Sequence, residues 1–152
     1  MASIPVPGMF YPPVGFHFVV VFLDFKMAPE ISFQSVSGLT VEYETESFKE
    51  GGENRFEHKL PVRTKYPDLV LKRGMLVGSQ VVKWCLDALQ KRDFKPTTLS
   101  ISLLNAEHVP IKTWTVNKAW PKKWSVSDFN AGENAIVVET LELSYSHFDI
   151  LI

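Results

Sequence analysis

Histidines are the residues of this 152-residue chain best suited to proton transfer near neutral pH. They are His17, His58, His108 and His147, and each stands alone in a predicted strand or turn. A catalytic site needs such groups to converge with a nucleophile, a second acid or base, or a metal. Only His108, which follows Glu107 in a predicted turn, leaves open a small β-rich hydrolase as a remote alternative.

The candidate nucleophiles and phosphate-binding glycines lack the context that their chemistry requires. Cys85, the single cysteine, falls on the predicted apolar stripe of a helix, which favours a packing role. The S-V-S-G segment ending at Gly38 lacks the G-x-S-x-G spacing of a nucleophile elbow. Gly51-Gly52 is followed by Glu53, whose charge would repel a phosphate, and no G-K-[S/T] occurs. We therefore predict no enzymatic activity, no cofactor and no metal site.

Lysines alternate with tryptophans in one stretch of the chain, a pattern found in proteins that bind single strands by charge and stacking. The residues are Lys112, Lys118, Lys122 and Lys123 with Trp114, Trp120 and Trp124. In the competing interpretation, Trp114 and Trp120 anchor a barrel and the lysines are solvated. Acidic residues follow from Asp128 onwards, and the net charge is -1, so no general attraction to nucleic acid or to membranes is expected. A stand-alone ligand- or nucleic-acid-binding barrel is thus an alternative function.

The composition is that of one globular domain. Hydrophobic residues make up 45% and charged residues 22% of the chain. The run Phe16 to Phe25 is too short for a membrane helix. Met1 to Tyr11 lacks the basic start of a signal peptide and indicates a Pro-rich arm, so synthesis in a reducing bacterial cytoplasm is expected.

The first half of the chain predicts strands and one long charged arm. Val14 to Phe25 is β-branched and aromatic, as in a buried strand. Phe33 to Tyr43 continues in strand character, and Gly38 within it indicates a bulge or a close backbone approach. Residues 44–65 are highly charged with nearly balanced signs, which predicts a hairpin or loop arm with its tip at Gly51-Gly52. Leu69 to Leu71 predicts a short strand.

One helix is predicted from Ser79 to about Lys91, with Ser79 as the N-cap. Its apolar stripe is predicted at Val82, Cys85, Leu86 and Leu89. Strands are then predicted at Thr98 to Leu104, Ile111 to Ala119 and Ala135 to His147. In the last strand we expect Leu141 and Leu143 to face the core and Thr140, Glu142 and Ser144 to face water.

These elements predict a mainly β fold: an antiparallel β-sandwich or open barrel of six or seven strands with one flanking helix. Residues 1–152 are expected to form a single domain, with an extended arm at 1–13 and an apolar tail at 148–152. The tail (FDILI) would either be tucked against its own domain or be buried between subunits.

The order of several motifs adds a resemblance to a known family. The motifs are F-Q-S-V-S-G-L at 33–39, K-E-G-G-E-N at 49–54, L-K-R-G at 71–74, W-x5-W-P at 114–121 and E-x-L-E-L at 139–143. This series resembles the tail tube proteins of contractile phages and of extracellular contractile injection systems, such as the antifeeding prophage and the Photorhabdus virulence cassette. The resemblance covers nearly the whole chain. The long charged loop and Trp120-Pro121 are most similar to the baseplate-proximal subunit that initiates the tube, and the major tube protein is the alternative.

The resemblance implies a structural protein without cofactor or catalytic site. It implies homo-hexameric rings with a lumen for cargo, and contacts with adjacent tube rings, baseplate or spike-adaptor proteins and the surrounding sheath. The resemblance further implies a phage-tail-like particle that can be released from the cell.

The resemblance also implies residue roles. Contacts between subunits or rings are expected at Val36, Ser37, Gly38 and Leu39, and in the loop from Glu46 to Lys59 at Lys49, Glu50, Gly51, Gly52, Glu53, Asn54, Arg55, Glu57 and Lys59. Fold-defining residues are expected to be Leu71, Lys72, Arg73, Gly74, Trp84, Trp114, Trp120 and Pro121. Leu71 to Gly74 should turn the chain into the helix on the outer side of the tube.

Overall fold

The computed structural model describes residues 18–24, 33–49, 51–52, 55–75 and 79–151, which form nine strands and one helix. The elements are β1 (Phe18–Phe22), β2 (Ser35–Ser37), β3 (Glu42–Phe48), β4 (His58–Lys65), β5 (Leu69–Gly74), α1 (Gln80–Lys91), β6 (Thr97–Leu104), β7 (Pro110–Val126), β8 (Val138–Ser144) and β9 (His147–Leu151). The predicted fold class is confirmed, but the predicted strand number was too low. Two segments that each predicted a single strand divide in the structure, one at Gly38 and one at Tyr145-Ser146. The predicted N-terminal arm lies outside the described residues.

All strand pairs are antiparallel. The main sheet has the order β1-β6-β7-β8-β5-β2, with β9 also paired to β7, and β3-β4 forms a separate two-stranded sheet. One hydrophobic core collects side chains from both ends of the main sheet, among them Val20, Leu99, Val116, Leu71 and Leu143, each 0% exposed. The helix packs on β7.

The long strand β7 bends in its middle and joins two groups of strands. Its first half pairs with β6 and β9, and its second half, from Trp120, pairs with β8. Between these halves Thr97 pairs with Ala119 but Leu99 pairs with Val116, so β7 holds one extra residue. Lys118 has a positive φ of 54° at this point. A bulge of this kind bends a strand and strengthens its twist, which lets β7 wrap around the core.

Residues 148–151 of the apolar C-terminal tail lie in β9, which continues the line of β8 along β7. Phe148 is buried at 8% exposure, whereas Ile150 and Leu151 remain 43% and 63% exposed. The first of the two expected fates, tucking against the chain's own domain, therefore applies to Phe148.

The helix begins and ends as the sequence predicts, but its buried stripe is rotated by one residue. Ser79 is the N-cap, and its hydroxyl accepts a hydrogen bond from the backbone N–H of Val82 at 3.3 Å. The buried residues are Val81, Trp84, Cys85 and Ala88, whereas Leu89 is exposed. The prediction was wrong because the apolar residues of the helix are compatible with two overlapping stripes. One stripe contains Val81 and Cys85, and the other contains Val82, Cys85 and Leu86. Trp84 decides between them, since its ring packs edge-on against Phe22 at 5.9 Å and its indole N–H donates to the Lys95 carbonyl at 2.7 Å.

The segment Leu71–Gly74 is not the turn that was expected, because it continues strand β5 and pairs with β8. Arg73 lies directly opposite Glu139 in this pairing, and Nε of Arg73 is 3.3 Å from the Glu139 carboxylate. Both side chains are less than 5% exposed. Arg73 also donates to the Ser79 hydroxyl and lies over the Phe33 ring, so it links β5 to the start of the helix. Helix α1, the one helix within the described residues, is too short to cross a membrane.

Candidate assembly surface

Strands β3 and β4, with the described residues between them, form an arm (residues 42–49, 51–52 and 55–65) that stands apart from the hydrophobic core. Each of the two strands contacts the other, and neither contacts any further helix or strand of the described part of the chain. Every residue of β3 is exposed, and in β4 only His58 is partly buried. A two-stranded hairpin is marginally stable by itself in water. The arm is therefore the described surface that most needs support from another molecule.

The two faces of the arm differ in charge. Residues directly opposite each other in an antiparallel pair share a face. On the charged face, Glu42 is opposite Lys65 and Glu44 is opposite Arg63. The Arg63 guanidinium lies 3.0 Å from the Glu44 carboxylate. The other face pairs Tyr43 with Thr64, Thr45 with Pro61 and Ser47 with Lys59, and it holds one charge only.

The charges of the arm are also sorted by strand. Strand β3 carries the acidic residues Glu42, Glu44 and Glu46 and no basic residue. Strand β4 carries Lys59, Arg63 and Lys65 and no acidic residue. One long edge of the arm is consequently acidic and the other basic.

Aromatic rings gather at the far end of the arm. The His58 ring stacks on Phe48 and meets the edge of Phe56, both at 5.1 Å between centroids. Phe48 and Phe56 nevertheless remain 45% and 53% exposed. Lys49 and Glu57 form an exposed ion pair at 3.4 Å beside them.

The predicted contact residues lie in two places. Lys49, Gly51, Gly52, Arg55, Glu57 and Lys59 are exposed on the outer part of the arm, whereas Glu50, Glu53 and Asn54 lie outside the described residues. Ser37 is exposed, and Val36, Gly38 and Leu39 are half-buried before the arm begins. Their contacts with other subunits remain predictions.

The base of the arm is held by close packing around Gly38. Its φ is +96°, and a Cβ at this position would lie 2.1 Å from the backbone oxygen of Asp68. This confirms the predicted close backbone approach. The Tyr145 hydroxyl donates to the Gly38 carbonyl at 3.2 Å, and Lys122 Nζ lies 2.7 Å from the Asp68 carboxylate. The segments that enter and leave the arm are thus fixed to β7 and to the residue after β8.

Two side chains at this base have shifted pKa values. Burial raises the pKa of Tyr145 to about 12, with smaller contributions from Tyr66 and Asp68. The hydrogen bond to Asp68, followed by the charge of that carboxylate, raises the pKa of Lys122. Both groups therefore keep their protons well above neutral pH, so Tyr145 remains a donor and Lys122 remains a cation.

The remaining fold-defining candidates occupy varied environments. Trp84 and Pro121 are buried, and Trp114 is half-buried against the core. Trp120 is 36% exposed and packs edge-on against Phe94 at 5.7 Å. Its fold-defining role remains a prediction. Lys72 is exposed, and Gly74 is half-buried near Ile136.

The structure does not bring the three tryptophans together into one binding platform. Trp114 lines a cleft with Phe18 and Leu39, Trp120 lines another with Phe94, and Trp124 lies beside the helix. Lys112 Nζ lies over the ring of Trp114, 5.7 Å from its centroid. Stacking of successive bases needs neighbouring rings on one surface.

The predicted turn around His108 is explained by its local geometry. The Asn105 side chain accepts hydrogen bonds from the backbone N–H groups of Glu107 and Val109, and His108 has a positive φ of 62°. This arrangement is typical of an Asx-stabilised turn. Glu107 and His108 are both exposed on it.

The sequence patterns did not reveal a group of polar side chains at the start of β9. The Ser146 hydroxyl lies 3.0 Å from His147 Nδ1, and His147 Nε2 lies 3.6 Å from the Asp149 carboxylate. All three side chains are exposed, and the Ser146 hydroxyl also donates to the Asn117 carbonyl at 3.1 Å. The group thus closes the junction between β7 and β9. Within the described residues no set of three His, Cys, Asp or Glu side chains is placed to hold a metal ion.

Comparison with known proteins identifies a family with this fold. Residues 14–149 match the family model of the T4-like virus tail tube protein gp19. No curated protein matches the chain significantly.

Among solved structures, the chain is similar to one in the six-fold symmetrised baseplate of the anti-feeding prophage. The identity is 32% over 94% of this chain and 97% of the other, with a TM-score of 0.86. A chain of the PVC sheath-tube complex, from an extracellular contractile injection system in the extended state, is 26% identical over 93% and 92%, with a TM-score of 0.78. A chain of the anti-feeding prophage tube terminating cap is 25% identical over 98% and 95%, with a TM-score of 0.79.

Proposed function

Because the chain belongs to the T4-like virus tail tube protein family, we propose that it forms the six-membered ring that begins the inner tube of a contractile injection system. The main support is the 32% sequence identity, over nearly the full length of both chains, to a chain of the six-fold symmetrised anti-feeding prophage baseplate. The chains from the PVC sheath-tube complex and from the tube terminating cap are 26% and 25% identical. The larger identity to the baseplate chain supports a position of this subunit at the baseplate end of the tube.

The shape of the molecule fits a ring subunit that works mechanically. Stiffness comes from the antiparallel main sheet, in which the bent strand β7 ties β6, β8 and β9 together. Cargo passes through the lumen of the ring, and the surrounding sheath supplies the driving force. The described chain needs neither a cofactor nor a catalytic group for this role, and its similar chains are parts of tubes and baseplates.

The alternative within the same machine is the major tube protein, which forms all of the later rings. The alternative of another class, a stand-alone binding module, loses support because the tryptophans line separate clefts. We propose that the chain is made in the bacterial cytoplasm and becomes part of a particle with no specific affinity for nucleic acid or membrane.

A label on the chain in assembled particles separates the two roles within the machine. A short epitope inserted between Ala131 and Gly132, in an exposed turn, is far from the arm in sequence and leaves every strand intact. Gold-labelled antibody in electron micrographs should then mark only the baseplate end of each tube. Labels along the whole tube would instead assign the chain as the major tube protein, and unlabelled tubes would overturn both assignments.

A matched second variant carries the same epitope between Gly51 and Gly52, at the tip of the arm, with the Ala131–Gly132 insertion as its control. The monomer should fold with unchanged circular dichroism, because the tip is exposed and has open space around it. We expect no tube to start from this variant. Normal labelled tubes would contradict the proposed role of the arm in assembly.

A further inference from the structure

The outer edges of the arm have no strand partner within the described part of the chain. Strand β3 pairs only with β4, and β4 pairs only with β3. An exposed strand edge presents a row of backbone donors and acceptors that can pair with another chain. A closed ring of strands removes such edges altogether.

Cyclic symmetry decides which edges can meet. In a closed ring all copies point the same way along the axis, and each copy uses two different surfaces to contact its two neighbours. The β3 edge of one arm therefore faces the β4 edge of the next arm. Since β3 and β4 run antiparallel within a copy, β3 also runs antiparallel to β4 of the neighbour when all arms point in the same direction.

The charges on the two edges are complementary. On the charged face, Glu42, Glu44 and Glu46 lie along the β3 edge and Arg63 and Lys65 lie along the β4 edge, whereas Lys59 lies on the other face. When the arms stand side by side, each acidic row lies between its own basic row and that of the neighbour. Opposite charges on facing strands set the register and exclude pairing with a copy that is inverted.

We propose that the arms of neighbouring copies pair edge to edge, β3 of one copy with β4 of the next, and form a closed crown on the ring. This inference rests on the proposed ring and names the strands and charges that join its subunits. The crown supplies the support that the exposed two-stranded arm lacks in a single copy.

Two features of β4 limit where its edge can pair with another strand. Pro61 provides no backbone N–H, and Val62 is an extra residue at the register shift opposite Glu44 and Thr45. Both features discourage pairing with an arbitrary strand. They leave Arg63 to Lys65 and His58 to Leu60 as the segments of the β4 edge that can form a ladder.

A charge-swapped variant tests pairing between copies without disturbing pairing within a copy. It carries Glu42→Lys, Glu44→Arg, Arg63→Glu and Lys65→Glu, so both opposed pairs of the charged face are kept with reversed signs. Its own rings should form, because its two edges are again complementary. Wild-type and swapped arms placed side by side would instead bring like charges together.

The experiment mixes unfolded ¹⁵N-labelled wild-type and unlabelled swapped chains in equal amounts, refolds them together, and determines the composition of the rings by native mass spectrometry. The label is needed because the swap leaves the amino-acid composition, and hence the mass of the chain, unchanged. We expect rings of wild-type chains and rings of swapped chains, with loss of mixed rings. One control mixes wild-type with ¹⁵N-labelled wild-type chain. A second control mixes ¹⁵N-labelled wild-type chain with unlabelled Asp87→Lys/Lys91→Asp, which reverses an i,i+4 ion pair on the helix. Both controls should give fully mixed rings.

The outcomes distinguish failure of the proposed crown from failure of the proposed ring. Free mixing of wild-type and swapped chains within rings would overturn the crown and leave the ring intact, and arms that contact only the next ring would give that result. Failure of the wild-type chain to form rings under any refolding condition would overturn the proposed ring and the crown with it.

Discussion

Replacement of Gly38 by alanine should destabilise the protein strongly, because the base of the arm has no space for a Cβ. The added atom would lie 2.1 Å from the Asp68 carbonyl oxygen, 3.1 Å from its carbon and 3.2 Å from Leu69 Cα. All three are backbone atoms, so no side chain can move to relieve the overlap. The chain before the arm would have to move away from β5, and the hydrogen bond from Tyr145 to the Gly38 carbonyl would lengthen.

The expected loss has two parts. A positive φ of +96° in a residue with a Cβ costs about 1–2 kcal/mol. Overpacking against a fixed backbone costs about 1–3 kcal/mol more. The free energy of unfolding should therefore fall by about 2–5 kcal/mol, and the melting temperature by about 10 °C for a chain of this size. Urea unfolding followed by circular dichroism measures the first quantity.

Two other glycines provide the controls. Gly52 has φ +93° with no atom within 4 Å of the Cβ position, and Gly51 also has open space there. Gly52→Ala should show at most the cost of the positive φ, and Gly51→Ala should be nearly neutral. The difference between Gly38→Ala and Gly52→Ala then isolates the overlap with Asp68. Equal losses in these two variants would refute the argument that the base of the arm is closely packed.

Three further predictions concern the buried ion pair, the helix cap and alkaline pH. Arg73→Met or Glu139→Leu alone should lower the free energy of unfolding by about 3–5 kcal/mol, since each leaves a buried charge without its partner. The double variant Arg73→Met/Glu139→Leu should recover most of that loss in urea unfolding, and additive losses would contradict the coupling. Ser79→Ala should cost about 1 kcal/mol through loss of the N-cap bond to Val82, and Ser79→Asp should restore it. A Ser79→Ala variant as stable as the wild type would show that the cap does not contribute. The pKa of Tyr145 is raised to about 12, so the stability contributed by its neutral hydroxyl is complete below pH 10 and is lost as the pH rises from 10 to 12. Tyr145→Phe should remove part of this fall in unfolding free energy. Lys122, whose pKa is also raised, should contribute a further part in the same direction. An identical alkaline profile for wild type and Tyr145→Phe would contradict the role of Tyr145.

Several features of the fold follow from local sequence patterns. Gly38 predicted a close approach of two backbone segments because a glycine that interrupts a strand pattern often marks a place where a Cβ would not fit. Ser79 predicted the start of the helix because its hydroxyl can accept a backbone N–H of the first turn. Alternation in the last strand placed Leu141 and Leu143 in the core, as the structure confirms.

The features that were missed depend on tertiary contacts. The bend of β7 uses Lys118 at a positive φ, which no glycine or asparagine signals. The buried pair Arg73–Glu139 had a usable signal, because Arg73 shares the alternation of Leu69 and Leu71. Glu139 likewise shares that of Leu141 and Leu143. Opposite charges at core-facing positions of two strands indicate a buried ion pair, but only once the two strands are known to be neighbours.

The contact surface was predicted from the resemblance and from the charge of residues 44–65. The separation of acidic and basic residues onto different strands becomes visible only when the first and last residues of β3 and β4 are known. The pairing of Glu44 with Arg63 depends on the register shift at Val62. Without that shift the opposed residues of the arm change, so the sequence alone could not define its two edges.

Electron microscopy of the purified chain at high concentration tests the central claim most directly. We expect class averages of six-fold rings with a central opening, and a particle of six times the mass of one chain when the same sample is passed through size exclusion with light scattering. A chain that remains monomeric at every attainable concentration, with no rings on the grid, would contradict it.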